Sequence, residues 1–358
     1  MKYDTKPYVI GVDMGGTNTA FGTVNRYGEI LFRDYINTGD YHSGGDYITA
    51  LSLAINRLLS ENDLQDSILG IGMGTPSGNM NDGSISGAAN IEWAKSDEKI
   101  FLARMLTEKT GLPCRLANDA NAAALGEMIY GVARGLKDFI MITLGTGLGG
   151  GIVVNGQLVA GHNGLAGELG HVRVVGHNGR RCGCGRTGCL EAYCSATGVS
   201  RTAREFLEAN PAKNHSLLCD ITDREITSKD VFDAAKAGDS LAVDIFRFTG
   251  RILGEALSDF VTFSNPEAII LFGGLTLAGD FLLDPLKESF EENVLGMYRG
   301  KTSILVSELN NTEAAILGAS ALAWGCGSPS GGHVENSDGA IFHVACDFLD
   351  FVEQVAVK

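Results

Sequence analysis

Two stretches of this chain repeat one design, and the repeat restricts the available folds more than any other feature. Residues 8 to 25, YVIGVDMGGTNTAFGTVN, read as strand, glycine turn, strand. Val9, Ile10 and Val12 run into Asp13; Gly15, Gly16, Thr17 and Asn18 form the turn; Ala20 to Val24 alternate again. Residues 138 to 161, DFIMITLGTGLGGGIVVNGQLVAG, do the same, with an apolar strand from Phe139 to Leu144, then Gly145, Thr146 and Gly147, then a glycine-led strand. Glycine lets backbone N–H groups approach a ligand closely, and threonine adds a hydroxyl, so either turn suits a phosphate. One such turn reads equally as a plain hairpin. Two of them facing one another across a cleft would cradle a polyphosphate from both sides. Neither fits GxxxxGK[ST] or GxGxxG, so neither a P-loop nor a dinucleotide-binding fold is indicated. Asp13, at a strand end, is placed to hold the Mg²⁺ of a nucleotide or a metal-bound water. A third phosphate-type site is expected where the strand within PEAIILFGG reaches Gly273 and Gly274 and a helix N-terminus follows.

The segments between these turns carry the remaining polar candidates. Apolar spacing at Ile48, Leu51, Leu53, Ala54 and Leu58 predicts a helix over 44–60. Residues 68 to 93 read as a strand and a long Gly, Asn and Ser loop, whose neutral hydrogen-bonding groups suit a polyol. Gly78, Asn79 and Asn90 are its candidates, each as readily a turn former. Residues 112 to 131 give a short strand ending at Asn118 and Asp119, then an alanine-rich helix. Asp119 stands where side chains are presented at a sheet's carboxyl edge, although an Asp there is also favoured simply as an N-cap. Further helices are expected from Ser195 or Thr197, over SKDVFDAAKAGD, over 241–265 and over 313–324. The composition of 326–358 suggests a linker and tail without a motif.

The stretch from Gly164 to Tyr193 is of another kind. It holds Cys182, Cys184 and Cys189 among glycines, with His171 upstream and the carboxylates Glu168 and Glu191 nearby. Three thiols and one imidazole complete a tetrahedral zinc site, and four protein ligands make such a zinc structural. Of the eight cysteines, four fall between Cys182 and Cys194 and the others are scattered, which fits a metal site in a reducing compartment better than a disulfide framework.

Composition excludes some classes. A net charge of −15 argues against a nucleic-acid surface, which needs clustered Lys and Arg. No apolar run is long enough to span a membrane, and the N-terminal residues lack the pattern of a secretory signal, so a cytoplasmic protein is expected.

Taken in order, Asp13-x-Gly-Gly-Thr, Asn118-Asp119, Gly145-Thr146-Gly147, Glu168-x-x-His171, CxCGxxGCxE over 182–191 and Gly273-Gly274 resemble the ROK family (repressor, open reading frame, kinase) from residue 8 to about 325. That resemblance implies an α/β fold of the actin-like ATPase (ribonuclease H-like) type, two lobes with an interlobe cleft: residues 1–117, completed by the helix 313–325, and residues 118–312, with a zinc knuckle over 171–189. It implies ATP, Mg²⁺ and a structural Zn²⁺ as cofactors and a hexose substrate, glucose first, in a homodimer or homotetramer. Asp119 matches the family's catalytic base. Asn118, Glu168, His171 and Glu191 match its sugar ligands, and His171, Cys182, Cys184 and Cys189 its zinc ligands. The family also contains sugar-responsive repressors with a winged helix ahead of the first strand. Here that strand starts at residue 8, which disfavours them; a non-catalytic sugar sensor is the alternative.

Overall fold

The computed structural model describes residues 6–209, 215–310, 313–327, 333–334 and 341–342. In chain order the elements are β1 (Tyr8–Met14), β2 (Asn18–Asn25), β3 (Ile30–Asn37), α1 (Gly44–Glu61), β4 (Ile68–Thr75), a small hairpin of β5 (Gly78–Asn79) and β6 (Ser84–Ile85), α2 (Leu102–Thr110), β7 (Cys114–Asn118) and α3 (Asp119–Tyr130). There follow β8 (Phe139–Leu144), β9 (Leu148–Val154), β10 (Gln157–Leu158), α4 (Glu191–Cys194), α5 (Ala196–Ala209), α6 (Ser228–Lys236), α7 (Ser240–Ser264), β11 (Ala268–Phe272), α8 (Asp280–Asn293), β12 (Ser303–Val306), α9 (Ala314–Trp324) and the short pair β13 (His333–Val334) and β14 (Ile341–Phe342).

The two glycine turns sit at equivalent places in two sheets of one topology. The first sheet has the order β3-β2-β1-β4-β7 and the second β10-β9-β8-β11-β12. In the first, β1–β2 and β2–β3 are antiparallel, while β1–β4 and β4–β7 are parallel. In the second, β9–β10 is antiparallel and β8–β11 and β11–β12 are parallel. Each order ends in parallel strands, whose carboxyl ends are the usual place for ligands in such sheets.

The chain divides into two compact units, one of residues 1–137, 151–167 and 308–358, the other of 138–150 and 168–307. In the first unit α9 is apolar all round and its residues 316–324 are buried, as a helix inside a core must be. It lies against β1 and β4 so closely that a Cβ at Gly11 or Gly72 would strike the carbonyls of Ile316 and Ala319. A Cβ at Gly126 would lie 2.8 Å from the Gly318 Cα, so α3 also packs on α9 backbone to backbone. For that reason α3 belongs to the first unit, whereas a boundary at 118 assigned it to the second.

Helix α1 corrects one apolar assignment. Ser43 caps it by accepting from the Asp46 N–H, and Ile48, Leu51, Ala54, Ile55, Leu58 and Leu59 are buried, but Leu53 is 65% exposed. In the second unit α7 and α8 pack through Gly250 and Gly254, where a Cβ at Gly250 would meet the Leu282 carbonyl at 2.7 Å. Beyond Gly327 the expected linker and tail lie outside the described residues, apart from β13 and β14. Among the described residues no helix is long and apolar enough to cross a membrane.

Candidate active site

In the first unit the turn after β1 closes with the Gly15 N–H donating to the Asn18 carbonyl at 2.9 Å, leaving Thr17 and Asn18 exposed. A Cβ at Gly16 would strike the Asn90 carbonyl, so the loop over 76–93 rests directly on the turn. A buried network supports the same turn from below. The Thr17 carbonyl accepts from the Thr38 N–H at 2.8 Å, and the Thr19 hydroxyl is 2.8 Å from the Thr38 hydroxyl and 3.0 Å from that of Tyr47.

Asp119 is not the cap of α3. That place is taken by Asn118, whose Oδ1 accepts from the Asn121 N–H at 3.0 Å, and Asp119 is the first helical residue. One Asp119 oxygen accepts from the Ala120 N–H at 2.8 Å. Burial pushes its carboxyl above the ordinary carboxylate range. Asp13 is raised to about 6, first by burial and then by the charge of Asp119. Asp13 is half-buried and Asp119 exposed, so a ligand can reach both, and two carboxyls with raised proton affinity suit a proton acceptor beside a divalent cation.

The loop candidates are placed unequally. Asn79 is engaged at both ends, its amide donating to the Asn163 carbonyl at 2.8 Å and its oxygen accepting from the Asn81 N–H at 3.0 Å. Gly78 packs on β7, where a Cβ would lie 2.6 Å from the Ala117 carbonyl. Asn90 is exposed.

In the second unit the Gly145 N–H donates to the Gly147 carbonyl at 3.0 Å. The start of α5 clamps this turn: the Ala196 N–H donates to the Gly145 carbonyl at 2.9 Å and the Thr197 hydroxyl to the Thr146 carbonyl at 2.9 Å. Ser195, as expected, begins that helix, its hydroxyl accepting from the Gly198 N–H at 3.1 Å. Gly145, Thr146 and Gly274 line one cavity of about 490 Å³ together with Leu144, Phe232 and Phe246. Gly273, with φ of 110°, lets β11 end against β8, where a Cβ would lie 2.6 Å from the Leu144 carbonyl. The helix N-terminus expected directly after Gly274 is absent. A 3-10 stretch over Gly274–Ala278 intervenes, held by the Thr276 hydroxyl donating to the Gly273 carbonyl at 2.8 Å, and α8 starts only at Asp280.

Sequence reasoning missed the part of this cavity made by α6: Ser228, Lys229, Phe232, Asp233 and Lys236. The capping box of Thr227 and Asp230 marked the start of α6, but which face meets the glycine turn is a tertiary fact. Lys236 lies over the Phe232 ring at 4.4 Å and 3.0 Å from Asp233, and Lys229 pairs with the same carboxylate. An apolar floor with a charged rim fits a flat heterocycle carrying phosphates.

The cysteine stretch converges as its spacing suggested. His171 ends a single 3-10 turn after Glu168, with Nε2 at 4.0 Å from the Glu168 carboxylate and Nδ1 at 3.7 Å from Cys182 Sγ. Cys184 and Cys189 Sγ are 3.8 Å apart, and one donor atom each from His171, Cys182, Cys184 and Cys189 falls within 4.8 Å of the others. Tetrahedral ligands at about 2.3 Å from a cation stand about 3.8 Å apart, so the set fits such an ion; a disulfide would need about 2.05 Å. All three thiols are free, and burial pushes Cys182 up to about 12. Glu191, the last of the expected sugar ligands, lies beside the cluster, with one oxygen accepting from the Cys182 thiol at 3.4 Å and the other from the Leu148 N–H at 3.0 Å.

Residues 9–325 match the model of the ROK family. A glucokinase of Halalkalibacterium halodurans is 39% identical over 314 residues, covering 87% of this chain and 93% of that protein. Among solved structures, a ROK family glucokinase from Streptomyces griseus in complex with glucose and AMPPNP superposes with a TM-score of 0.72 at 35% identity, over 88% of this chain and 99% of that one. A ROK family transcriptional regulator, a homologue of E. coli MLC, superposes with a TM-score of 0.77 at 26% identity, over 89% and 78%.

Proposed function

The chain belongs to the ROK family and has its actin-like ATPase fold, and from that premise we propose that it transfers the γ-phosphoryl group of ATP to a hexose hydroxyl, the 6-hydroxyl of glucose. The observation that carries this reading is Asp119, exposed at the end of β7 and released from capping by Asn118, with its carboxyl held above the ordinary carboxylate range. A hydroxyl is a poor nucleophile, so a carboxylate within reach takes its proton as attack on the phosphorus begins. A carboxyl whose affinity for protons is raised by burial is better suited to that task than a solvated one.

The amides of Gly15 to Asn18 and of Gly145 to Gly147 hold the phosphates, and the cavity beside Phe232 and Phe246 takes the adenine. Asp13 would hold Mg²⁺, which neutralises and orients the triphosphate. Asn90, Asn118, Glu168 and His171 hold sugar hydroxyls. His171, Cys182, Cys184 and Cys189 would hold Zn²⁺, a structural ion that fixes the imidazole. With Nδ1 turned to the thiols, Nε2 is the nitrogen left for a hydroxyl.

A sugar-binding regulator without phosphoryl transfer is the second reading, favoured by the likeness to a transcriptional regulator. Retention of Asp119 and of both glycine turns weighs against it, because a sensor needs neither. ADP release measured with glucose, mannose, allose, fructose and N-acetylhexosamines decides between them. Turnover is expected, fastest with glucose; sugar binding without turnover on any member of the panel supports the regulator.

A further inference from the structure

We propose that Tyr47 is a positioning residue for the turn of residues 15–18: through Thr19 and Thr38 its hydroxyl fixes the peptide between Thr17 and Asn18, and with it the affinity for nucleotide. The proposal rests on the reading that this turn holds nucleotide phosphates.

Thr17 and Asn18 are exposed, as residues that meet a ligand must be, so their backbone is held from one side. The Thr17 carbonyl accepts from the Thr38 N–H at 2.8 Å and from the Gly39 N–H at 3.3 Å. A trans peptide is planar, so a carbonyl turned to Thr38 sends the Asn18 N–H the opposite way, into the turn. Where Thr38 stands therefore decides where that N–H points. Thr38 opens a short 3-10 turn, Thr38–Asp40, at the end of β3. Its hydroxyl lies 2.8 Å from that of Thr19, the residue after Asn18, and the Thr19 hydroxyl lies 3.0 Å from that of Tyr47. The three hydroxyls form one chain with Thr19 in the middle. All three residues are buried, so a hydroxyl that loses its partner there cannot turn to bulk water instead. Burial, and more weakly the charge of Asp13, push the Tyr47 phenol above its ordinary range. It keeps its proton, and the chain stays neutral beside the carboxyl that would hold Mg²⁺. The Tyr47 ring has a separate duty, packing on Tyr41 and Trp93 with centroids 6.0 and 5.4 Å away. A change to phenylalanine divides the two.

The test measures the dissociation constants of a non-hydrolysable ATP analogue and of glucose, each alone, and hydrogen exchange at the Thr38 amide. Tyr47→Phe should weaken the analogue about fivefold, as for one net hydrogen bond, and leave glucose binding as in the wild type. Thr19→Val, which breaks both links, should weaken the analogue about tenfold or more and speed exchange at Thr38. Thr19→Ser, which restores the hydroxyl, should bind the analogue as the wild type does. In the Thr19→Val background, Tyr47→Phe should cost the analogue little more, because the chain is already broken. Full analogue affinity in Tyr47→Phe and Thr19→Val, with only the melting temperature lowered, overturns the proposal. Additive losses in the double variant overturn it too, since Tyr47 would then not act through Thr19. A wild type that never binds the analogue overturns the ATP reading instead. In that case faster Thr38 exchange in Thr19→Val still upholds the hold on the turn, and unchanged exchange overturns it.

Discussion

Replacing Asp13 with asparagine should make the ligand-free protein more stable at neutral pH while abolishing its use of nucleotide. The carboxyl has its pKa raised from 3.8 to about 6 by burial and by Asp119. Below pH 3.8 it is protonated in both folded and unfolded chains, and its charge costs nothing. Between 3.8 and about 6 the unfolded chain ionises first, so the folded state loses stability as pH rises; above 6 the loss is complete. At about 1.36 kcal/mol per pH unit, that interval corresponds to about 3 kcal/mol. Asparagine keeps the shape and removes the charge. Urea unfolding of both proteins at pH 4, 5, 6, 7 and 8, without nucleotide or divalent ion, reads the difference directly. The advantage of Asp13→Asn should be small at pH 4 and grow to about 3 kcal/mol by pH 7. A constant offset across the range, or a wild type that is the more stable at pH 7, refutes the reasoning, because the carboxylate would then not be strained by its surroundings. Saturating Mg·ATP should reverse the order, since only the wild type gains from ligand binding.

Three further outcomes follow from other parts of the site. Asp119→Asn should lower kcat for phosphoryl transfer by about 10²- to 10⁴-fold with KM for sugar little changed, in a coupled ADP assay. Cys184→Ser should lose bound zinc, measured by elemental analysis, together with thermal stability and sugar affinity, because folding of this segment and metal binding are linked; retention of stability and sugar affinity without zinc contradicts the role given to the ion. Gly274→Leu should raise the nucleotide Kd at least about tenfold at unchanged melting temperature. A Cβ there meets nothing within 4 Å, yet the residue lines the nucleotide cavity.

Much of this was legible in the chain because the signals were local. Strand–turn–strand periodicity located β1 with β2 and β8 with β9, and the shared sheet order gives a physical reason for the repeat. Cysteine spacing located the four donors, since short glycine-rich segments leave few ways to arrange three thiols. What failed depended on which face an element turns inward. Leu53 fits the apolar period of α1 but is exposed, while Ile55 and Leu59 carry the buried stripe. Helix α3 could not be assigned to a unit without knowing that Gly126 meets Gly318 across an interval of nearly two hundred residues. Asn79 read equally as ligand or turn former, and only the fold shows its amide on the Asn163 carbonyl. Phe232 and Lys236 carried no motif, because a cavity wall is made by packing rather than by spacing.

Phosphoryl transfer to a sugar, with Asp119 as the base, is the step on which the proposed function depends. Phosphorus and carbon NMR of a mixture of ATP, Mg²⁺ and ¹³C-labelled glucose, run with wild type and Asp119→Asn, tests it most directly. A phosphate ester on carbon 6 is expected, forming as ADP appears, with the variant slower by about two orders of magnitude or more. ADP without a sugar phosphate, or an Asp119→Asn variant as fast as the wild type, would contradict it.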